Sequence, residues 1–103
     1  MTQPQLSVVV PVFNESGNVA TLIDEITAAL RGVVDFEMVF VDDHSRDDTL
    51  AILRAARQRA PELRVLHHER QSGQSTAIRN GVKAARAPWI ATLDGDGQND
   101  PAD

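Results

Sequence analysis

Four apolar runs alternate with three segments of helical periodicity, and only short polar connections separate them. The first run, Leu6-Ser7-Val8-Val9-Val10-Pro11-Val12, is β-branched and apolar at nearly every position. A strand with one wet face alternates polar and apolar residues, so a continuous run marks a strand covered on both sides. Val19, Leu22, Ile23, Ile26, Ala29 and Leu30 then recur at helical spacing and stop at Gly32. A second strand runs from Phe36 to Val41. The helix after it opens at Ser45-Arg46-Asp47-Asp48, an oxygen cap followed by acids, and Leu50, Leu53, Ala56, Arg57 and Ala60 carry it to Pro61. Leu63 to Leu66 is a third, shorter strand. Ala77, Ile78, Gly81, Val82 and Ala85 mark a third helix closed by Pro88, and Trp89 to Leu93 is a fourth strand, read as buried. Such alternation requires right-handed crossovers onto a parallel sheet. The expected fold is α/β, a mostly parallel sheet with flanking helices.

The rest of the composition narrows the function classes. A chain of 103 residues without internal repeat or linker reads as a single domain over 1–103. No helix is expected to follow the fourth strand, so the chain reads as the front half of a longer catalytic domain, truncated after that strand. The absence of cysteine excludes a disulfide framework, a zinc–thiolate cluster and a thiol nucleophile. A hydrophobic fraction of 42% with 24% charged residues belongs to a globular chain, not a disordered one. No apolar run approaches the roughly 18 residues of a membrane span, and the N-terminus lacks a secretory pattern, so a cytoplasmic location is expected. The net charge of −5 disfavours a basic nucleic-acid-binding face.

The position of the acids is more telling than their number. Nine of the 15, namely Glu15, Asp42, Asp43, Asp47, Asp48, Asp94, Asp96, Asp100 and Asp103, follow predicted strands. In open α/β sheets ligands bind beyond the carboxyl ends of the strands, where the strand order reverses. Asp94-Gly95-Asp96 delivers two carboxylates to that edge, and carboxylates so close repel unless a cation sits between them. A hard divalent ion suits them, and Mg²⁺ is commonly held by one or two carboxylates together with substrate phosphates. An EF-hand loop does not fit, because Asn99 stands where that loop needs glycine and its bidentate Glu is missing.

Three further segments reach the same edge. Pro11-Val12-Phe13-Asn14-Glu15 ends the first strand, where proline interrupts the hydrogen-bond ladder and Asn14 and Glu15 can meet a base or ribose; the alternative is a plain strand exit with Asn14 or Ser16 capping the next helix. Asp42 and Asp43 end the second strand and can accept hydrogen bonds from a base or a ribose, whereas Asp47 and Asp48 serve the helix dipole. His44 is read as an exposed loop residue, and Trp89 as a packing residue. Arg70-Gln71-Ser72-Gly73-Gln74-Ser75-Thr76-Ala77 is a polar glycine-containing loop opening the third helix, whose N-terminus favours an anion. It is no Walker loop, and no Gly-x-Gly-x-x-Gly follows the first strand.

The order of these four segments, Pro-Val-Phe-Asn-Glu, Val-Asp-Asp-His-Ser-x-Asp-x-Thr, Ser-Gly-Gln-Ser-x-Ala-x-x-x-Gly and Leu-Asp-Gly-Asp-Gly-Gln-Asn-Asp-Pro, resembles family 2 glycosyltransferases of the GT-A fold. Within them it looks most like the dolichyl- and undecaprenyl-phosphate sugar transferases. The resemblance implies a UDP- or GDP-linked sugar donor whose base lies near Pro11, Phe13, Glu15 and Asp42, with Asp43, Ser72 and Gly73 completing the nucleotide site. It implies Asp94 beside the ribose and diphosphate, and a divalent Mg²⁺ or Mn²⁺ on Asp96 and Gln98, so that Asp94 and Asp96 carry the catalytic role. The implied reaction is inverting transfer of a mannose- or glucose-type sugar to a polyprenyl phosphate at the cytoplasmic face of a membrane. The acceptor site is expected beyond Asp103, so the chain alone is expected to bind donor without turnover. A saccharide hydroxyl as acceptor, or a catalytically silent nucleotide-binding module, are the alternatives.

Overall fold

The computed structural model describes residues 3–94, which form strands and helices in strict alternation. They are β1 (Leu6–Val12), α1 (Val19–Leu30), β2 (Phe36–Asp42), α2 (Thr49–Ala56), β3 (Leu63–His67), α3 (Gln74–Ala84) and β4 (Trp89–Thr92). All pairings are parallel, and the strand order is β3-β2-β1-β4. The expected α/β class is therefore realised, with most boundaries close to those expected. The largest shift is in α2, which starts at Thr49 and ends at Ala56, with turns leading on to Pro61.

The order of strands follows from what the two central ones must bury. Val8, Val10 and Val12 of β1 with Met38 and Phe40 of β2 face one side, where Ile23, Ile26 and Leu53 from α1 and α2 close the main core. Val9, Val39 and Val41 face the other side, against Ala77 of α3. Two crossovers that step the same way place α1 and α2 on one face. The third steps back past β2 and β1 to β4, and a right-handed crossover in that direction must run over the opposite face. Strand order therefore reverses between β1 and β4.

Two contacts fix α3 and β4. A Cβ on Gly81 would come within 2.4 Å of Val9 Cγ1 and 3.1 Å of Val41 Cγ2, so α3 lies close on the sheet only because residue 81 has no side chain. Beneath it, the buried Glu37 carboxylate accepts hydrogen bonds from the Ser7 hydroxyl (2.5 Å), the Arg86 N–H (2.7 Å) and Arg64 Nη1 (2.9 Å). Ser7 Oγ in turn accepts from the Ala87 N–H at 3.1 Å, which clamps the α3–β4 connection to the start of the sheet.

β4 departs from expectation. It pairs with β1 alone, and α3 packs on β1 and β2, so Trp89 (72% exposed) and Ile90 (42%) face outward among the described residues. Trp89 is thus not a packing residue here. Among the described residues no helix is long and apolar enough to cross a membrane.

Replacing a helical glycine by alanine usually gains up to about 1 kcal/mol, whereas overpacking a core costs about 1–3 kcal/mol. Because Val9 is fully buried and stiff, Gly81→Ala is expected to destabilise by about 1–2 kcal/mol in urea unfolding. In a Val9→Ala background, which vacates the space, the same change is expected to cost clearly less.

Candidate functional site

The site begins with one missing hydrogen. In β1 the backbone groups of Val9 point toward β4, where the Val9 carbonyl accepts from the Leu93 N–H at 3.0 Å, and those of Val12 point toward β2, where its carbonyl accepts from the Asp43 N–H at 2.9 Å. Alternation turns residue 11 to the β4 side, and Pro11 has no N–H to offer there. The β1–β4 ladder therefore stops after Val9↔Thr92 while β1–β2 pairing continues to Val12↔Asp42. A cleft of about 230 Å³ opens between the two strand ends, lined by Pro11, Val12, Phe13, Glu15, Asp43, Gln71, Gly73, Gln74 and Asp94. It sits at the reversal of strand order, where ligand sites in such sheets are found.

The cleft wall is held by hydrogen bonds between the β1–α1 and β2–α2 loops. Asn14 (φ 52°) and His44 (φ 65°) adopt left-handed backbone conformations, which suit asparagine better than histidine. The Asn14 N–H donates to Ser45 Oγ at 2.9 Å, and the Arg46 N–H donates to Asn14 Oδ1 at 2.8 Å. The Glu15 N–H donates to Thr49 Oγ1 at 2.9 Å, and the Ser16 N–H to Asp47 Oδ2 at 3.2 Å. Asp47 also accepts from the Thr49 N–H (2.9 Å) and hydroxyl (2.5 Å), so Asp47 and not Ser45 caps α2. Asp48 makes no side-chain cap. Ser45 instead donates its hydroxyl to Asp42.

Each candidate residue can now be placed. Pro11, Phe13, Glu15, Asp43, Gly73 and Asp94 meet at the cleft. Asp42 is fully buried behind it, accepting from Ser45 and paired with His67 Nδ1 at 2.9 Å. Ser72 lies at the rim, its N–H donating to Asp43 and its hydroxyl to the Arg70 carbonyl. Asp96 and Gln98 fall outside the described residues, as does most of the acidic turn. Among the described residues no three His, Cys, Asp or Glu side chains group to hold a metal. The carboxylates on the cleft wall are Glu15, Asp43 and Asp94.

Sequence reading passed over Gln71 and Gln74, which add amide groups to the cleft, and His67 and His68, while His44, expected to be exposed, is half-buried. His67 pairs with Asp42, and His68 Nδ1 with Asp43 at 2.8 Å. Among the described residues the buried His44 Nδ1 has no hydrogen-bond partner, and its ring lies 6.0 Å from that of His67. The one cue for these pairs is strand register, Asp42↔His67, which a sequence does not display. A larger hollow of about 540 Å³ lies at the opposite edge of the sheet, but its most prominent charges, Arg31–Glu62 and Arg64–Glu37, already neutralise each other.

The carboxylates bear on stability in acid. Burial pushes the Asp43 carboxyl up, but hydrogen bonds from His68 and the N–H groups of Ser72 and Gly73 outweigh it and hold it below its ordinary 3.8. Burial also raises Asp47, and bonds from Thr49 and Ser16 bring it below 3.8 in the same way.

An α/β domain with a cleft at the reversal of its strand order has the architecture in which open parallel sheets bind ligands. Residues 7–103 match the family model described as Glycosyl transferase family 2, and the chain belongs to that family. It is 41% identical over 101 residues to the dodecaprenyl-phosphate galacturonate synthase of Rhizobium johnstonii, a match covering 96% of this chain and 30% of that protein. Similarity to the undecaprenyl-phosphate 4-deoxy-4-formamido-L-arabinose transferase of Pseudomonas fluorescens is 40% over 99 residues, covering 93% of this chain and 29% of the other. The chain thus spans about 30% of the length of these relatives. Among solved structures it resembles S. aureus TarS 1-349 in complex with UDP-GlcNAc, with TM-score 0.80, 29% identity, and 89% and 26% of the two chains covered. The mannosyltransferase PcManGT from Pyrobaculum calidifontis, solved with GDP-Man and Mn²⁺, shares the fold at TM-score 0.79 and 24% identity, over 93% of this chain and 28% of that one.

Groups whose folded pKa is depressed add stability above the unfolded pKa, and that stability is lost as pH falls through the folded value. The Asp43 and Asp47 contribution is therefore expected to be present above 3.8 and to be lost as pH falls from there through the lower folded values. Urea midpoints measured from neutral pH down to about pH 2 should show a shallower acid decline for Asp43→Asn than for the wild type.

Proposed function

We propose that this chain supplies the donor-binding part of an inverting glycosyltransferase that moves a sugar from a nucleoside-diphosphate sugar to a polyprenyl phosphate. The single observation that carries the reading is the cleft where β1 and β4 part, which gathers Pro11, Phe13, Glu15, Asp43, Gly73 and Asp94 from four segments of the chain. Family membership supports the reaction class, and the relatives' names, each containing a polyprenyl phosphate, support the acceptor.

In this reading the base rests on the wall formed by Pro11, Phe13 and Glu15, with Asp43 accepting from its N–H groups. Asp94 takes the ribose and diphosphate end. Asp96 and Gln98 would hold a divalent ion there, which when bound supplies charge to stabilise the leaving diphosphate. The phosphate acceptor is already an anion at neutral pH, so it needs less help from a general base than a sugar hydroxyl does. One displacement at the anomeric carbon, with the nucleoside diphosphate leaving from the opposite face, inverts the configuration. Mannose- and glucose-type donors belong in the test beside galacturonate and arabinose types, the sugars in the relatives' names.

Thermal unfolding with UDP, GDP and their sugars, with and without Mn²⁺, tests the donor site. A ligand at a hundredfold its dissociation constant adds about 2.7 kcal/mol. A metal-dependent rise in melting temperature is expected with one base and not the other, and its loss in Asp94→Asn and Asp96→Asn. The reading fails if the full-length protein shows no nucleotide-dependent shift, or transfers no labelled sugar to a polyprenyl phosphate.

A further inference from the structure

We infer that His68 is a positioning residue for the donor cleft, acting through Asp43 to hold the backbone turn that opens α3. The inference rests on the donor-site reading above, and it adds a residue that neither lines the cleft nor falls in any motif of the sequence.

Asp43 follows β2 with its side chain only 5% exposed. Its Oδ1 accepts from His68 Nδ1 (2.8 Å) and from the Ser72 N–H (2.8 Å), and its Oδ2 accepts from the Gly73 N–H (2.9 Å). Both oxygens therefore bind the same turn, and Gly73 takes a φ of 97° that only glycine adopts readily. Gly73 and Gln74 line the cleft together with Asp43, so the orientation of this one carboxylate sets the shape of that wall. The N–H groups of Ser72 and Gly73 take one oxygen each, but both belong to the turn they hold. His68, one residue past the end of β3, adds a donor from a different element and so ties that carboxylate to the sheet.

His68 is itself anchored. Its side chain is 13% exposed, and its Nε2 lies 2.9 Å from Asn80 Nδ2 on α3. An amide nitrogen facing a ring nitrogen donates to it, so Nε2 accepts and the proton sits on Nδ1, where it donates to Asp43. That tautomer follows from the hydrogen-bond network. A chain of bonds then runs from the body of α3 through Asn80, His68 and Asp43 back to Gly73 at the helix start. The neighbouring pair, His67 and Asp42, lacks this reach, because the Asp42 carboxylate is spent on Ser45 in the β2–α2 loop.

The test compares wild type, His68→Leu and His68→Asn of the full-length protein, with UDP and GDP as probes in the presence of Mn²⁺ and sugar transfer as a second readout. Asparagine can place an amide N–H near the position of Nδ1, whereas leucine fills the space without a donor. His68→Leu is expected to weaken nucleotide binding and raise the donor KM about tenfold, with kcat changed less than about threefold, and His68→Asn to recover most of the loss. A purely structural role would lower the active fraction, and so kcat, at unchanged KM, and asparagine would not rescue it; that result overturns the inference. So does nitrogen NMR placing the His68 proton on Nε2, a readout that requires no nucleotide. Absence of nucleotide binding by the wild type would instead remove the donor-site reading, and the inference with it. Normal binding in His68→Leu removes the inference alone.

Discussion

β1 and β2 are apolar on both faces, and the remaining architecture answers to that. A sheet whose central strands cannot meet water on either side must carry helices on both. Right-handed crossovers can place helices on both faces only if the chain reverses its direction of travel across the sheet. The reversal falls between β1 and β4, and there the two strand ends part. Burial of valines thus determines where a polar cleft can exist, before any polar residue is considered.

Building the cleft is then a problem of satisfying backbone groups in loops. The loops after β1 and β2 carry N–H groups with no ladder partner, and short oxygen side chains on the opposing loop take them up: Ser45 for Asn14, Thr49 for Glu15 and Asp47 for Ser16. Most polar side chains near the site are occupied in this way, which fixes the wall and leaves few groups for a ligand. Asp42 shows the distinction clearly. It is acidic and ends a strand, but its carboxylate is enclosed and committed to Ser45 and His67.

Much of this was legible in the sequence because each strand and helix has its own periodicity and its own punctuation. The apolar runs located the strands, and the clustering of acids after them located the functional edge. The family resemblance rested on the order of four motifs, no one of which is specific alone. What the sequence did not display were relations that depend on register and exposure. Asp42 and Asp43 are adjacent, chemically identical and both buried, yet only Asp43 lines the cleft, since alternate residues point opposite ways. Trp89 looks like a core residue by composition, but among the described residues β4 pairs with β1 alone. The His–Asp pairs join residues 25 positions apart, through the alignment of β2 with β3.

The proline at the end of β1 carries a consequence for how such a cleft could be lost. Parallel strands pair like the two sides of a zip, each closed link drawing the next into place. Pro11 is the stop on that zip: lacking a hydrogen to offer, it holds the strands open where the ligand would enter. Any other residue at position 11 would bring an N–H to the β4 side, the first requirement for the ladder to run on past Val9↔Thr92. The opening at this edge goes with an atom that is not there.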